Sequence, residues 1–238
     1  MLMLEPFRLS VENRSICGLL HLPPTANPPC VITAHGLFSS KDSDKFISIA
    51  DYFTHSGLAV IRFDFGGCGE STGSISDTTV SKRLKELKAV VAFARQHPSL
   101  STQLGLLGSS LGGYVSLLYA AQDTAIRALS VWATPYNLLA LRHNIPEEEL
   151  RRLKEDFFID AAQYRLESVL SELTTVQIIQ GKNDTIVSYT HAQELFSRVS
   201  HPKELHLIPA GDHSLTRPED RKRAIEHSVR WFQTYLLI

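Results

Sequence analysis

Three short clusters in this 238-residue chain hold the residue types of acid–base and nucleophilic chemistry: Gly108-Ser109-Ser110-Leu111-Gly112, Gly181-Lys182-Asn183-Asp184 and Gly211-Asp212-His213-Ser214. A serine hydroxyl is a weak nucleophile until a base takes its proton. In the order serine, acid, histidine, Ser110 attacks, His213 takes the proton and later returns it, and Asp184 fixes the imidazole tautomer and steadies the imidazolium. Ser110 is preferred to Ser109 because it lies midway between Gly108 and Gly112. A turn sharp enough to present the hydroxyl leaves no room for side chains two residues away on either side. Asp212 is the competing acid, but a carboxylate adjacent in sequence rarely orients its neighbour's ring, so Asp184 on a separate loop is the assignment.

These clusters do chemistry together only if the intervening chain brings them together. The apolar run at 104–107 leads into the serine turn, and Leu111, Val115, Leu118 and Tyr119 follow at helical spacing, which predicts strand, turn and helix. Upstream, the apolar runs at 7–11 and 16–22 flank the turn-forming Glu12-Asn13-Arg14 and predict an antiparallel hairpin, after which Pro23, Pro24, Pro28 and Pro29 form a loop. Further strands are predicted at 30–34, 58–63, 126–133, 175–180 and 204–208. Helices are predicted at 43–55, 80–96, 190–198 and 219–235. This alternation means one mostly parallel sheet with helices on both faces, where chemistry gathers beyond the carboxyl ends of the strands. The stretch 135–174 breaks the rhythm, being far longer than the roughly dozen residues a crossover needs. Asn144 is read as the N-cap of a helix over 146–158, with a second short helix over 161–170, and together they form a small inserted lid on a single domain spanning 1–238.

Composition narrows the function further. A net charge of -1 leaves no electrostatic footprint for nucleic acid. No run approaches the roughly 20 apolar residues of a membrane span, and the start of the chain lacks a signal peptide's pattern, so the cytoplasm is the expected location. Cys17, Cys30 and Cys68 have neither pairing nor metal-ligand spacing and are expected as buried thiols. The histidines show no zinc spacing, so no metal is expected. Gly66-Gly67-Cys68-Gly69 lacks both the Gly-Lys-Ser/Thr of a phosphate loop and the third glycine of a dinucleotide fingerprint, so no nucleotide cofactor is expected either.

The chain resembles the α/β-hydrolase superfamily over nearly its full length. It is most similar to small bacterial cinnamoyl or feruloyl esterases and to serine-aminopeptidase-type hydrolases. The resemblance rests on His35-Gly36, the loop Asp64-x-x-Gly67-x-Gly69-x-Ser71, the turn around Ser110, Gly181 to Asp184, and Gly211-Asp212-His213. It implies an eight-stranded α/β-hydrolase sheet, and an oxyanion hole built from the backbone N–H groups of Leu37 and Leu111. Leu37 and Phe38 follow Gly36 where lipase-type relatives carry further glycines, which argues against that branch. His35, Gly36, Leu138, Leu153 and Phe157 are expected to contact substrate, the last three as part of an apolar roof. The expected activity is hydrolysis of small esters with apolar or aromatic acyl groups through an acyl-enzyme. An acyl thioesterase or aminopeptidase using the same triad is the alternative within hydrolases, and a non-catalytic binder of small ligands is the alternative outside them.

Overall fold

The computed structural model describes residues 2–237. β1 (Met3–Val11) and β2 (Arg14–Leu22) form the antiparallel hairpin, in register from Met3 opposite Leu22 to Val11 opposite Arg14. β1 starts four residues before the run read from sequence, because Met3 and Leu4 are exposed and are held by backbone pairing rather than by a buried face. β3 (Cys30–Ala34), β4 (Ala59–Phe63), β5 (Leu104–Ser109), β6 (Ile126–Trp132), β7 (Val176–Gly181) and β8 (Lys203–Ile208) are parallel to one another. Among the described residues the result is one eight-stranded sheet of order β1-β2-β4-β3-β5-β6-β7-β8, with β2 antiparallel to β4. This is the α/β-hydrolase fold.

Successive strand residues face opposite sides, and two cores follow from that alternation. Val31, Val60, Leu107 and Ile179 pack under α1 (Asp44–His55) and α7 (Pro218–Leu236) against Phe46, Phe53, Trp231 and Phe232. Ile32, Ile61, Leu106 and Ile178 face α2 (Val80–Gln96), α3 (Leu111–Ala120) and α6 (Tyr189–Arg198), where Val91, Leu118 and Leu195 meet them. A β-strand with both faces covered reads as a nearly continuous apolar run, as β3 and β4 do apart from Thr33 and Arg62. The long apolar side chains bridging sheet and helices fix the strand ends from which the candidate site loops depart.

The lid departs from the helix pattern read in sequence. In place of one helix over 146–158 there are α4 (Glu147–Leu150) and α5 (Glu155–Ala161), separated by an extended Lys154. Asn144 caps neither, because its amide nitrogen donates 2.9 Å to the Ile186 carbonyl on the body of the protein. The break turns Phe157 and Phe158 into the core, while Glu155 and Asp156 occupy the first turn of the new helix, where its dipole favours them. The expected second helix over 161–170 is replaced by 3-10 turns at Leu166–Ser168 and Leu170–Glu172. The lid is tied to α2, where Asp160 accepts from the Ser81 amide at 3.0 Å and the hydroxyls of Ser81 and Tyr164 lie 2.7 Å apart.

Candidate active site

Ser110 stands between β5 and α3 with φ 54° and ψ −123°, a conformation that L-residues avoid. Holding it there costs on the order of 1–3 kcal/mol and needs support from the surroundings. Its amide donates to the Trp132 carbonyl at 2.8 Å, and its carbonyl accepts from Tyr114 at 3.1 Å. The two flanking glycines are required by close approach. A Cβ at Gly108 would lie 2.5 Å from the Gly112 carbonyl oxygen, and one at Gly112 would overlap the Ala34 carbonyl. The turn read from sequence is therefore built by packing β5, α3 and the end of β3 almost backbone to backbone.

Asp184 follows β7 and His213 follows β8, and His213 Nδ1 lies 2.8 Å from Asp184 Oδ2. The carboxylate is buried and well held. Oδ1 accepts from the Ile186 and Val187 amides at 2.9 and 2.8 Å, and Oδ2 also accepts from Gln180 Nε2 at 2.9 Å. With its acceptor sites used in this way, Asp184 selects the tautomer that carries a proton on Nδ1 and leaves Nε2 as a base. Asp212 accepts instead from the Ser214 and Thr216 amides at 3.1 and 3.0 Å, so it braces its own loop. Ser110 and His213 line one cavity of about 330 Å³, although among the described residues no hydrogen bond joins them.

Leu37 and Leu111 line the same cavity, and among the described residues neither amide donates to an acceptor. Gly36 packs on the serine, since a Cβ there would lie 3.3 Å from Ser110 Cβ. The loop carrying Leu37 is held from behind by Arg83, a fully buried residue of α2. Its guanidinium donates to the carbonyls of His35 and Gly36, both at 3.2 Å, to that of Leu37 at 3.0 Å, and to Thr78 Oγ1 at 3.1 Å, and it lies over the Phe65 ring. Spacing alone could have exposed it, because Arg83 shares a helix face with Val80, Leu87 and Val90. A charge on an apolar stripe signals a buried partner.

His35, expected to touch substrate, faces the interior. Its Nδ1–H donates to the Gly36 carbonyl at 2.7 Å, and its Nε2 accepts from the Phe65 amide at 3.0 Å. Burial, reinforced by the Arg83 charge, pushes its pKa down to about 3, so it is a neutral brace for the loop. Leu138 does line the cavity, together with Leu141 and Ile145 from the lid and Ile186 from the body. Leu153 and Phe157 do not. The break between α4 and α5 turns Phe157 into the core, and Leu153 packs against the same cluster.

Sequence reasoning passed over Lys45 and Gln180. Lys45, the second residue of α1, enters the cavity and donates to Ser109 Oγ at 2.8 Å. Asp64 is buried and accepts from the Lys41 and Glu70 amides at 2.7 and 2.9 Å, which organises its loop. It meets Asp42 and Glu70 closely enough to suggest a cation site, but the Lys41 ammonium already sits among them, 2.7 Å from Glu70 and 3.5 Å from Asp64. Cys17, Cys30 and Cys68 are buried free thiols. No described helix is long and apolar enough to cross a membrane.

The family described as alpha/beta hydrolase fold matches residues 29–138. Among curated proteins, the mitochondrial palmitoyl-protein thioesterase ABHD10 of Mus musculus is 25% identical, over 89% of this chain and 78% of its own length. Est1E from Butyrivibrio proteoclasticus, solved with ferulic acid bound, superposes with a TM-score of 0.88 at 20% identity, over 98% of this chain and 100% of that one. Mouse alpha/beta hydrolase domain-containing protein 10 superposes with a TM-score of 0.76 at 20% identity, over 97% and 99% of the two chains. The chain therefore has the α/β-hydrolase fold over nearly its whole length, with the family match itself confined to residues 29–138.

Proposed function

We propose that the protein is a serine ester hydrolase that works through an acyl-enzyme on small esters with apolar or aromatic acyl groups. The observation that carries this reading is the 2.8 Å Asp184–His213 hydrogen bond facing the same cavity as the strained Ser110 and two unengaged amides. His213 Nε2 takes the hydroxyl proton as Ser110 Oγ bonds to the acyl carbon. The carbonyl electron pair moves onto oxygen, where the Leu37 and Leu111 amides meet a charge that exists only in the tetrahedral intermediate. The bond to the alcohol oxygen then breaks and His213 returns the proton to it. Water repeats the sequence on the acyl-enzyme, releasing the acid and regenerating Ser110. A bond between nucleophile and base that is not yet made is common before substrate aligns the groups.

The lid side chains Leu138, Leu141 and Ile145 give the acyl group an apolar wall. The likeness to a structure holding ferulic acid supports aromatic acyl groups, while the name of the ABHD10 relative supports a second reading in which the scissile bond is a thioester. Both use the same atoms. Turnover of p-nitrophenyl esters of graded acyl length, of aryl-acyl esters and of matched thioesters separates them. Ser110→Ala abolishes turnover throughout the panel if the reading is right, and retained activity in that variant removes it.

A further inference from the structure

Lys45 sets an unusual condition inside the candidate site. Its ammonium has three N–H groups and a full charge, yet its side-chain partner among the described residues is the neutral Ser109 hydroxyl at 2.8 Å, and no carboxylate lies within ion-pair distance. Of the charged groups around it, Asp184 and Asp212 are engaged elsewhere and Arg221 carries the same sign, while the half-buried Glu149 carboxylate lines the same cavity beyond ion-pair distance. Asp184 is committed to His213, Gln180 and two amides, and Asp212 to Thr216 and the amides of its own loop. Arg221 on α7 adds positive charge. Glu149 enters the cavity from the lid. Burial, followed by the Arg221 charge, lowers the Lys45 pKa to about 8, which leaves the ammonium mostly charged at neutral pH. A desolvated cation without a counter-charge is costly, and its natural complement is an anion brought by the ligand.

We infer that Lys45, with Ser109, forms a carboxylate-recognition subsite beside Ser110, so that the favoured substrates are esters carrying a second, ionised carboxyl group. This deepens the esterase reading and rests on it. Three features support an anion at this point. Lys45 and Ser109 line the same cavity as Ser110 and His213, so a ligand reaching the serine passes within reach of the ammonium. Ser109 is the residue before the nucleophile, so its hydroxyl and the ammonium it accepts from are fixed relative to Ser110 by β5 and α1. Lys41 and Arg62 near this end of the sheet have carboxylate partners in Glu70 and Asp42, and Arg83 is turned onto three backbone carbonyls, whereas the Lys45 ammonium faces the cavity with one hydroxyl. The bound carboxylate would accept from the remaining ammonium N–H groups and from the Ser109 hydroxyl proton, which the Lys45 bond leaves available.

The test compares kcat/KM within pairs of esters that differ in one carboxylate. One arm sets p-nitrophenyl hemiglutarate against p-nitrophenyl valerate, placing the carboxylate on the acyl side. The other sets 3-carboxyphenyl acetate against phenyl acetate, placing it on the alcohol side. In at least one arm the wild-type enzyme is expected to prefer the anionic ester by roughly 10- to 100-fold, the range a charge-assisted hydrogen bond provides. Lys45→Met should bring that ratio down to about one or below, and Lys45→Arg should keep part of it. A wild-type ratio at or below one in both arms overturns the inference without any variant, and so does a preference that survives Lys45→Met. If neither ester is turned over, the esterase reading fails by itself, and glutarate binding measured calorimetrically decides the subsite. Binding that Lys45→Met weakens supports it, and equal or absent binding rejects it.

Discussion

Arg83→Met is the perturbation that most directly probes how the candidate oxyanion loop is held. Removing the guanidinium strands the carbonyls of His35 and Leu37, while Gly36 keeps the His35 Nδ1–H donor. At about 1–3 kcal/mol for each buried acceptor left without a strong donor, the gross cost is about 2–6 kcal/mol. Part of this is offset, because a cation need no longer be kept out of water. The larger consequence concerns the Leu37 amide. With its peptide no longer fixed from behind, one of two donors is misaimed, and losing one such donor typically lowers kcat by about 100- to 1,000-fold. Arg83 does not line the cavity, so KM for a short p-nitrophenyl ester should stay within about 3-fold. Arg83→Lys should recover stability better than kcat, because a single ammonium cannot span three carbonyls. Steady-state kinetics on folded variants, with melting curves alongside, check this. A folded Arg83→Met or Arg83→Lys enzyme with kcat within about 3-fold of wild type refutes the positioning role.

Three further outcomes follow from the same geometry. Asp184→Asn should lower kcat by about four orders of magnitude with the fold intact, as seen when a triad histidine loses its tautomer partner, measured by steady-state hydrolysis and circular dichroism. Gly112→Ala drives a methyl group into the Ala34 carbonyl, so it should lower the melting temperature by roughly 2–12 °C in scanning calorimetry. His35 has a folded pKa of about 3, below its unfolded value of 6.5, so the unfolded chain takes up the proton first. Its stabilising contribution is complete above about pH 6.5 and is lost as pH falls towards 3. Because the slope reaches about 1.36 kcal/mol per pH unit only below pH 6.5, the step from pH 6.5 to about pH 4.5 removes about 2 kcal/mol. Urea midpoints at the two pH values should therefore differ more in wild type than in His35→Asn.

What could be read from the sequence was whatever the backbone imposes locally or with a short period. The turn at Ser110 announces itself because only glycine tolerates the contacts made at Gly108 and Gly112. The sheet is legible because β3, β4 and β7 are buried on both faces and are mostly apolar, with Thr33, Arg62, Gln177 and Gln180 the polar exceptions. The lid was harder. Leu150, Leu153 and Phe157 fit a helical stripe, but the Asn144 bond to Ile186 and the extended Lys154 depend on surfaces more than thirty residues away, and they split the helix so that Phe157 turned inwards. The resemblance implies that His35 contacts substrate, yet both ring nitrogens are taken by backbone groups. Lys45 left no local signal, because its significance comes from the loop of β5 lying against the start of α1.

Activation of Ser110 as a nucleophile by the Asp184–His213 pair has a direct chemical readout. It is tested most directly by treating the protein with a fluorophosphonate and locating the adduct by peptide mass spectrometry. A single stoichiometric adduct is expected on Ser110, absent in Ser110→Ala and strongly slowed in His213→Ala. An unlabelled protein, or one whose label sits on Ser109 or elsewhere and survives Ser110→Ala, contradicts it.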